Sequence, residues 1–149
     1  MPKDNARAKT RTILLVDDDP SVREAVGEVL RQEGYLVIAL ASGRAVLNVV
    51  KTCDIELALI DLNLPNESGW EIFQTLTNHF PELPIIIATA RSNQKFKALA
   101  AGVGALLEKP YNFPVLLELI GRLLQETPEK RLARIKGSSP EFVPAILTK

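Results

Sequence analysis

The stretch Ile13-Leu14-Leu15-Val16-Asp17-Asp18 runs four apolar residues without interruption into two carboxylates. A run of that length between loop signals reads as a strand buried on both faces, the kind found in parallel sheets. The pattern returns along the chain. Leu57-Ala58-Leu59-Ile60 ends on Asp61, Ile85-Ile86-Ile87-Ala88 ends on Thr89, and Ala105-Leu106-Leu107-Glu108 is followed by Lys109. In open α/β sheets, ligands bind outside the carboxyl ends of the strands. Side by side, these runs bring three carboxylates, a hydroxyl and an ammonium to one small site. That set suits a phosphoryl group and a metal ion.

Helical patterns fill the spaces between the runs. Asp19-Pro20-Ser21 starts a helix with proline in its first turn, Val22, Val26, Val29 and Leu30 share one face, and Gly34 ends it. A second strand spans Tyr35 to Leu40, and Ser42 caps a helix through about Val50. The loop Leu62-Asn63-Leu64-Pro65-Asn66-Glu67-Ser68-Gly69 is rich in turn formers. A third helix runs from about Trp70 to Asn78, and another from about Gln94 to Ala101, stopped by Gly102. The last helix is capped by Asn112, with Pro114 in its first turn and a stripe of Leu116, Leu119, Ile120, Leu123 and Leu124. Strands alternating with helices of this size imply a doubly wound α/β fold, a five-stranded parallel sheet with helices on both faces. The expected organisation is a polar lead over residues 1–11, one domain over 12–126, and a tail or linker over 127–149. In that tail Glu129 to Lys136 is able to extend the last helix.

Composition narrows the class. A chain of 149 residues supports one domain with a real core. Eighteen basic and eighteen acidic residues cancel, which gives no global pull toward nucleic acid or membrane. The one cysteine, Cys53, has no internal disulfide partner and fits a reducing compartment. No apolar stretch approaches the ~20 residues of a membrane span. The expected location is the cytoplasm.

The acidic cluster sets the chemistry. At about 5 Å and an effective dielectric of about 20, each carboxylate pair repels by roughly 3 kcal/mol. Asp17, Asp18 and Asp61 therefore call for a cation, and a hard divalent ion such as Mg²⁺ or Mn²⁺ suits oxygen ligands. One carboxylate is then a nucleophile able to form an acyl phosphate. Thr89 offers a hydrogen bond to one phosphoryl oxygen and Lys109 a point charge to another. Each piece alone has a blander reading. Asp17-Asp18 before Asp19-Pro20 reads as a turn, Asp61 before Asn63 and Pro65 as a loop, and Lys109-Pro110 as surface. Their placement at the ends of four strands favours a site.

The ordered set Val16-Asp17-Asp18, Asp61-Leu62-Asn63-Leu64-Pro65, Gly69, Thr89-Ala90 and Lys109-Pro110 resembles the receiver domains of bacterial two-component response regulators. The resemblance covers about Thr12 to Glu126. It implies a flavodoxin-like sheet with strand order 2-1-3-4-5. It also implies that Asp61 accepts a phosphoryl group from the phosphohistidine of a histidine kinase or phosphotransfer protein. By the same resemblance, Asp18, Asp61 and the backbone carbonyl of Asn63 hold Mg²⁺, and Asp17 acts through metal-bound water. Thr89 and Lys109 hold the phosphoryl oxygens, while Asn63 and Arg91 tune attack by water. The output would pass by docking to a downstream protein, with homodimerisation open and no direct nucleic-acid binding by the receiver. One departure stands out. Receivers usually carry Tyr or Phe three residues before the lysine, and here that residue is Leu106.

Two rivals remain at this point. A phosphohydrolase with an aspartate nucleophile would also use Asp61, Mg²⁺ and a lysine, but such enzymes usually need a second acid where this chain has Asn63. A binding module that has lost phosphorylation is opposed by the intact acidic set. Other residues read as structural: His79 as a capping or surface residue, Cys53 as a small filler, and Trp70 as core or rim packing. Lys130, Arg131, Arg134 and Lys136 read as a solvated basic face.

Overall fold

The computed structural model describes residues 10–90 and 103–135. Their elements follow in the order β1 (Thr12–Val16), α1 (Pro20–Gln32), β2 (Leu36–Leu40), α2 (Val46–Thr52), β3 (Leu57–Asp61), α3 (Gly69–His79), β4 (Ile85–Thr89), β5 (Ala105–Glu108), α4 (Phe113–Leu124) and α5 (Pro128–Ile135). The five strands form one sheet in the order β2-β1-β3-β4-β5, and every pair is parallel. A two-residue antiparallel ladder, Asn63–Leu64 against Glu67–Ser68, sits in the loop after β3. The expected helix from Gln94 to Ala101, Arg91, and the lead before Thr10 lie outside the described residues.

Side-chain alternation builds two cores. Leu14, Val16, Ala58, Ile60, Ile87 and Leu106 face α2 and α3. Ile13, Leu15, Leu57, Leu59, Ala88 and Leu107 face α1 and α4. Burial on both faces explains why the strands read as unbroken apolar runs. The edge strand β2 is the exception, with Leu36 58 % exposed.

Local chemistry sets the element ends. The Asp19 side chain accepts a hydrogen bond from the Ser21 N–H and caps α1, and Gly34, at φ +98°, turns the chain into β2. The Asn112 side chain accepts from the Val115 N–H and caps α4. Ser42 does not cap α2. Its hydroxyl accepts only a long bond, 3.4 Å, from the Arg44 N–H, and the helix starts after Ala45 with no side-chain cap. The loop is held elsewhere: Glu67 accepts from the Gly43 N–H at 2.7 Å, and that tie sets the path into α2.

Beyond residue 126 a separate helix replaces the expected extension of the last one. Pro128 begins α5 rather than breaking it, as proline is able to do in a first turn. Arg131 pins this helix. Its guanidinium donates to the carbonyls of Glu82 and Leu123 and pairs with Glu126. Among the described residues no helix is long and apolar enough to cross a membrane.

Candidate functional site

Strand register brings the site together. Val16, Ile60, Ile87 and Leu106 lie in one row across four strands. Asp17 follows Val16, and Asp61 lies one step beyond Ile60, paired with Ala88. By alternation Asp17, Asp61 and Lys109 continue the face covered by α1 and α4, while Thr89 continues the other. The Asp17 N–H donates to the Leu40 carbonyl, Leu62 to Ala88, and Lys109 to Thr89, so each strand exit is tied to its neighbour.

The acidic side chains converge as the sequence led one to expect. Asp17, Asp18 and Asp61 each present a carboxylate oxygen within 4.8 Å of the others. Asp17 is fully buried, Asp61 is 3 % exposed, and Asp18 faces solvent. The Lys109 ammonium bridges the two buried acids, at 3.1 Å from Asp17 Oδ2 and 3.4 Å from Asp61 Oδ2. The second oxygen of each acid accepts a backbone N–H, from Asp19 to Asp17 Oδ1 at 2.9 Å and from Asn63 to Asp61 Oδ1 at 3.0 Å. Thr89, fully buried, donates its hydroxyl to Asn63 Oδ1 at 3.2 Å, and the Ala90 N–H reaches the same oxygen at 3.4 Å.

The electrostatics are out of balance. Burial pushes the Asp61 pKa above the usual aspartate range, and the Asp17 charge adds to this. The Asn63 N–H and Lys109 oppose the rise without cancelling it. Burial works against the Lys109 charge too, yet its hydrogen bond to Asp17 and the charges of both acids carry its pKa above the ordinary lysine value. Three carboxylates against Lys109 and the nearby Arg23 leave an excess of negative charge on an all-oxygen donor set. That set fits a hard divalent cation.

Two residues near the site escaped the sequence reading. The Arg23 guanidinium donates to the Asp17 backbone carbonyl at 2.7 Å and fastens α1 to the acidic loop. Its signal was its place one turn into a helix that starts at the acid pair. Tyr111 stacks on Phe113, and its ring centroid lies 6.0 Å from the Lys109 ammonium. Its hydroxyl is buried with no hydrogen-bond partner among the described residues. Burial first, then the Asp17 and Asp61 charges, drives its pKa far above the ordinary tyrosine value. Leu106 is fully buried on the α2/α3 face. His79 donates its Nδ1–H to the Thr75 carbonyl at 2.9 Å in the last turn of α3, and Trp70 packs edge-on against Phe73. The basic tail residues were expected to be a solvated face. Lys130 is exposed, but Arg131 is drawn into the contacts that hold α5, because two backbone carbonyls and an acid converge on it.

Comparison with known proteins agrees with this geometry. The family described as "Response regulator receiver domain" matches residues 13–121. The response regulator GtcR of Aneurinibacillus migulanus is 33 % identical over 116 residues, covering 76 % of this chain and 46 % of that protein. The transcriptional regulatory protein HprR of Escherichia coli K12 is also 33 % identical, over 76 % of this chain and 52 % of its own length. The chain thus spans about half the length of these curated relatives. Among solved structures, a CheY-like receiver domain protein from Methanospirillum hungatei superposes with a TM-score of 0.74 at 32 % identity, over 82 % of this chain and 98 % of that one. The Thermotoga maritima regulator TrrA, solved in complex with Mg²⁺ and a beryllium fluoride, gives 0.71 at 28 % identity, over 76 % and 99 %. With the five-stranded order and the acidic cluster in place, the chain belongs to the response regulator receiver domain family of two-component signalling.

Proposed function

We propose that Asp61 is the phosphoacceptor of this receiver and takes its phosphoryl group from the phosphohistidine of a histidine kinase or phosphotransfer protein. One observation carries the reading: Asp61 is buried at a strand end with one carboxylate oxygen fixed by the Asn63 N–H and the other facing Lys109. The Asp61 oxygen attacks phosphorus, the P–N bond to the imidazole breaks, and an acyl phosphate forms. Lys109 then neutralises a phosphoryl oxygen, and Thr89 donates its hydroxyl to another. Asp18, Asp61 and the Asn63 carbonyl would hold Mg²⁺ or Mn²⁺, with Asp17 acting through a metal-bound water. The ion would supply charge neutralisation to the carboxylates and to the incoming phosphoryl group.

The protein in this reading is a signalling phosphoacceptor that assists its own phosphorylation and dephosphorylation, and it works in the cytoplasm. Residues 12–126 form the receiver unit and 127–149 a tail. Output passes by docking to a downstream protein or to a second copy of the chain. The test is intact-mass measurement after incubation with a small-molecule phosphodonor. Wild type should gain one phosphoryl group with Mg²⁺ present and none in chelator, and Asp61→Asn should gain none. Equal labelling of that variant would refute the assignment.

A further inference from the structure

The donors that a phosphoryl group would need are already in use. Thr89 Oγ and the Ala90 N–H converge on one atom, Asn63 Oδ1, at 3.2 and 3.4 Å. A backbone N–H only donates, so the atom facing Ala90 must be the amide oxygen of Asn63 and not its nitrogen. Both donors sit at the end of β4, whose Ala88 pairs with Asp61. From this we infer that the Asn63 side chain is an internal stand-in for a phosphoryl oxygen, which phosphorylation must displace. The inference rests on Asp61 being the phosphoacceptor.

The backbone and the side chain of Asn63 are held separately. The backbone N–H is fixed on Asp61 Oδ1, and the residue pairs with Ser68 in the short ladder. Rotation of the side chain therefore releases the Thr89 hydroxyl and the Ala90 N–H from Asn63 without moving the loop. Asn63 is exposed, so the released amide finds water. The two contacts, at 3.2 and 3.4 Å, are longer than ordinary hydrogen bonds, whereas bonds to an ionised phosphoryl oxygen are shorter and stronger. The exchange runs toward phosphate once the acyl phosphate is present. Before that, the amide competes with it and lowers the apparent affinity of the empty site.

Removing the side chain should thus tighten binding of a phosphoryl mimic. Titration with beryllofluoride at saturating Mg²⁺, followed by Trp70 fluorescence or amide spectra, should give an affinity about three- to tenfold higher for Asn63→Ala. Asn63→Ser, too short to reach Thr89, should behave alike and guards against a defect of one variant. The Ala90 amide resonance should differ between free wild type and free Asn63→Ala, and coincide once both are saturated. Equal or weaker beryllofluoride binding by both variants would overturn the inference, as would an Ala90 resonance unmoved by saturation of wild type. Absence of Mg²⁺-dependent binding by wild type would overturn the phosphoacceptor reading as well.

Discussion

Asp61 sits where its own ionisation is opposed, and that has a consequence for stability. Below the ordinary aspartate pKa both the folded and unfolded chains carry the proton, so the group does not distinguish them. As pH rises, the unfolded chain ionises first and the folded state loses ground until its raised pKa is passed. Asp61→Asn should therefore melt a few degrees above wild type at about pH 7 without divalent metal, with the gap closing toward about pH 4. Matching melting curves at both values would show that the carboxylate carries no strain. Lys109 has the opposite sense. Its pKa is raised, so its contribution is complete below the ordinary lysine value and is lost as pH climbs through the folded one. Lys109→Ala leaves Asp17 and Asp61 facing each other unpaired. Discounted for the partial exposure of the lysine, the loss should be about 1–3 kcal/mol in urea denaturation without metal.

At the scale of elements, the start of α3 is the tightest point beside the site. A Cβ on Gly69 would lie 2.7 Å from both the Asp61 carbonyl oxygen and the Leu62 Cα, and those are backbone atoms that do not yield easily. Gly69→Ala should cost about 1–3 kcal/mol and slow phosphorylation by shifting the Asp61 loop, measured by denaturation and by intact mass. Ser68 caps the same helix through the Trp70 N–H, and Ser68→Ala should cost about 1 kcal/mol with little effect on labelling. The strands and their terminal acids were legible because a strand buried on both faces admits polar groups only at its ends. Asp17, Asp61, Thr89 and Lys109 mark those ends directly. The start of α2 was not legible, since the bond that sets it joins Gly43 to Glu67 across 24 residues. Nor was the partner of Thr89, because a side chain in a turn-rich loop gives no sequence sign of where it points.

For the molecule as a whole, Leu106 bears on the proposed signal. Fully buried on the α2/α3 face, it has no hydroxyl or ring to present, so on the proposed function a response at Thr89 is expected to leave through the β4 exit itself. Beryllofluoride with Mg²⁺ should move the amide resonances of Thr89 and Ala90 most, with a differential interaction as the only source of the shift. Changes confined to Asp17 and Asp18 would speak against that route. At the other end of the sheet lies a cleft of about 810 Å³ that includes Arg11, Cys53, His79, Phe80, Leu124 and Arg131, and none of Asp17, Asp18 or Asp61. Helix α5 is fastened there by Arg131 to two carbonyls and an acid, with Leu132 and Ala133 half-buried beside it. One eight-residue helix exposes far less surface on release than the whole domain does on unfolding. Its release should thus carry a smaller heat-capacity change and a weaker dependence on urea than global unfolding. Amides of α5 should then exchange with solvent deuterium through local openings, at rates that rise only gently with denaturant, while those of β1 and β3 wait for global unfolding.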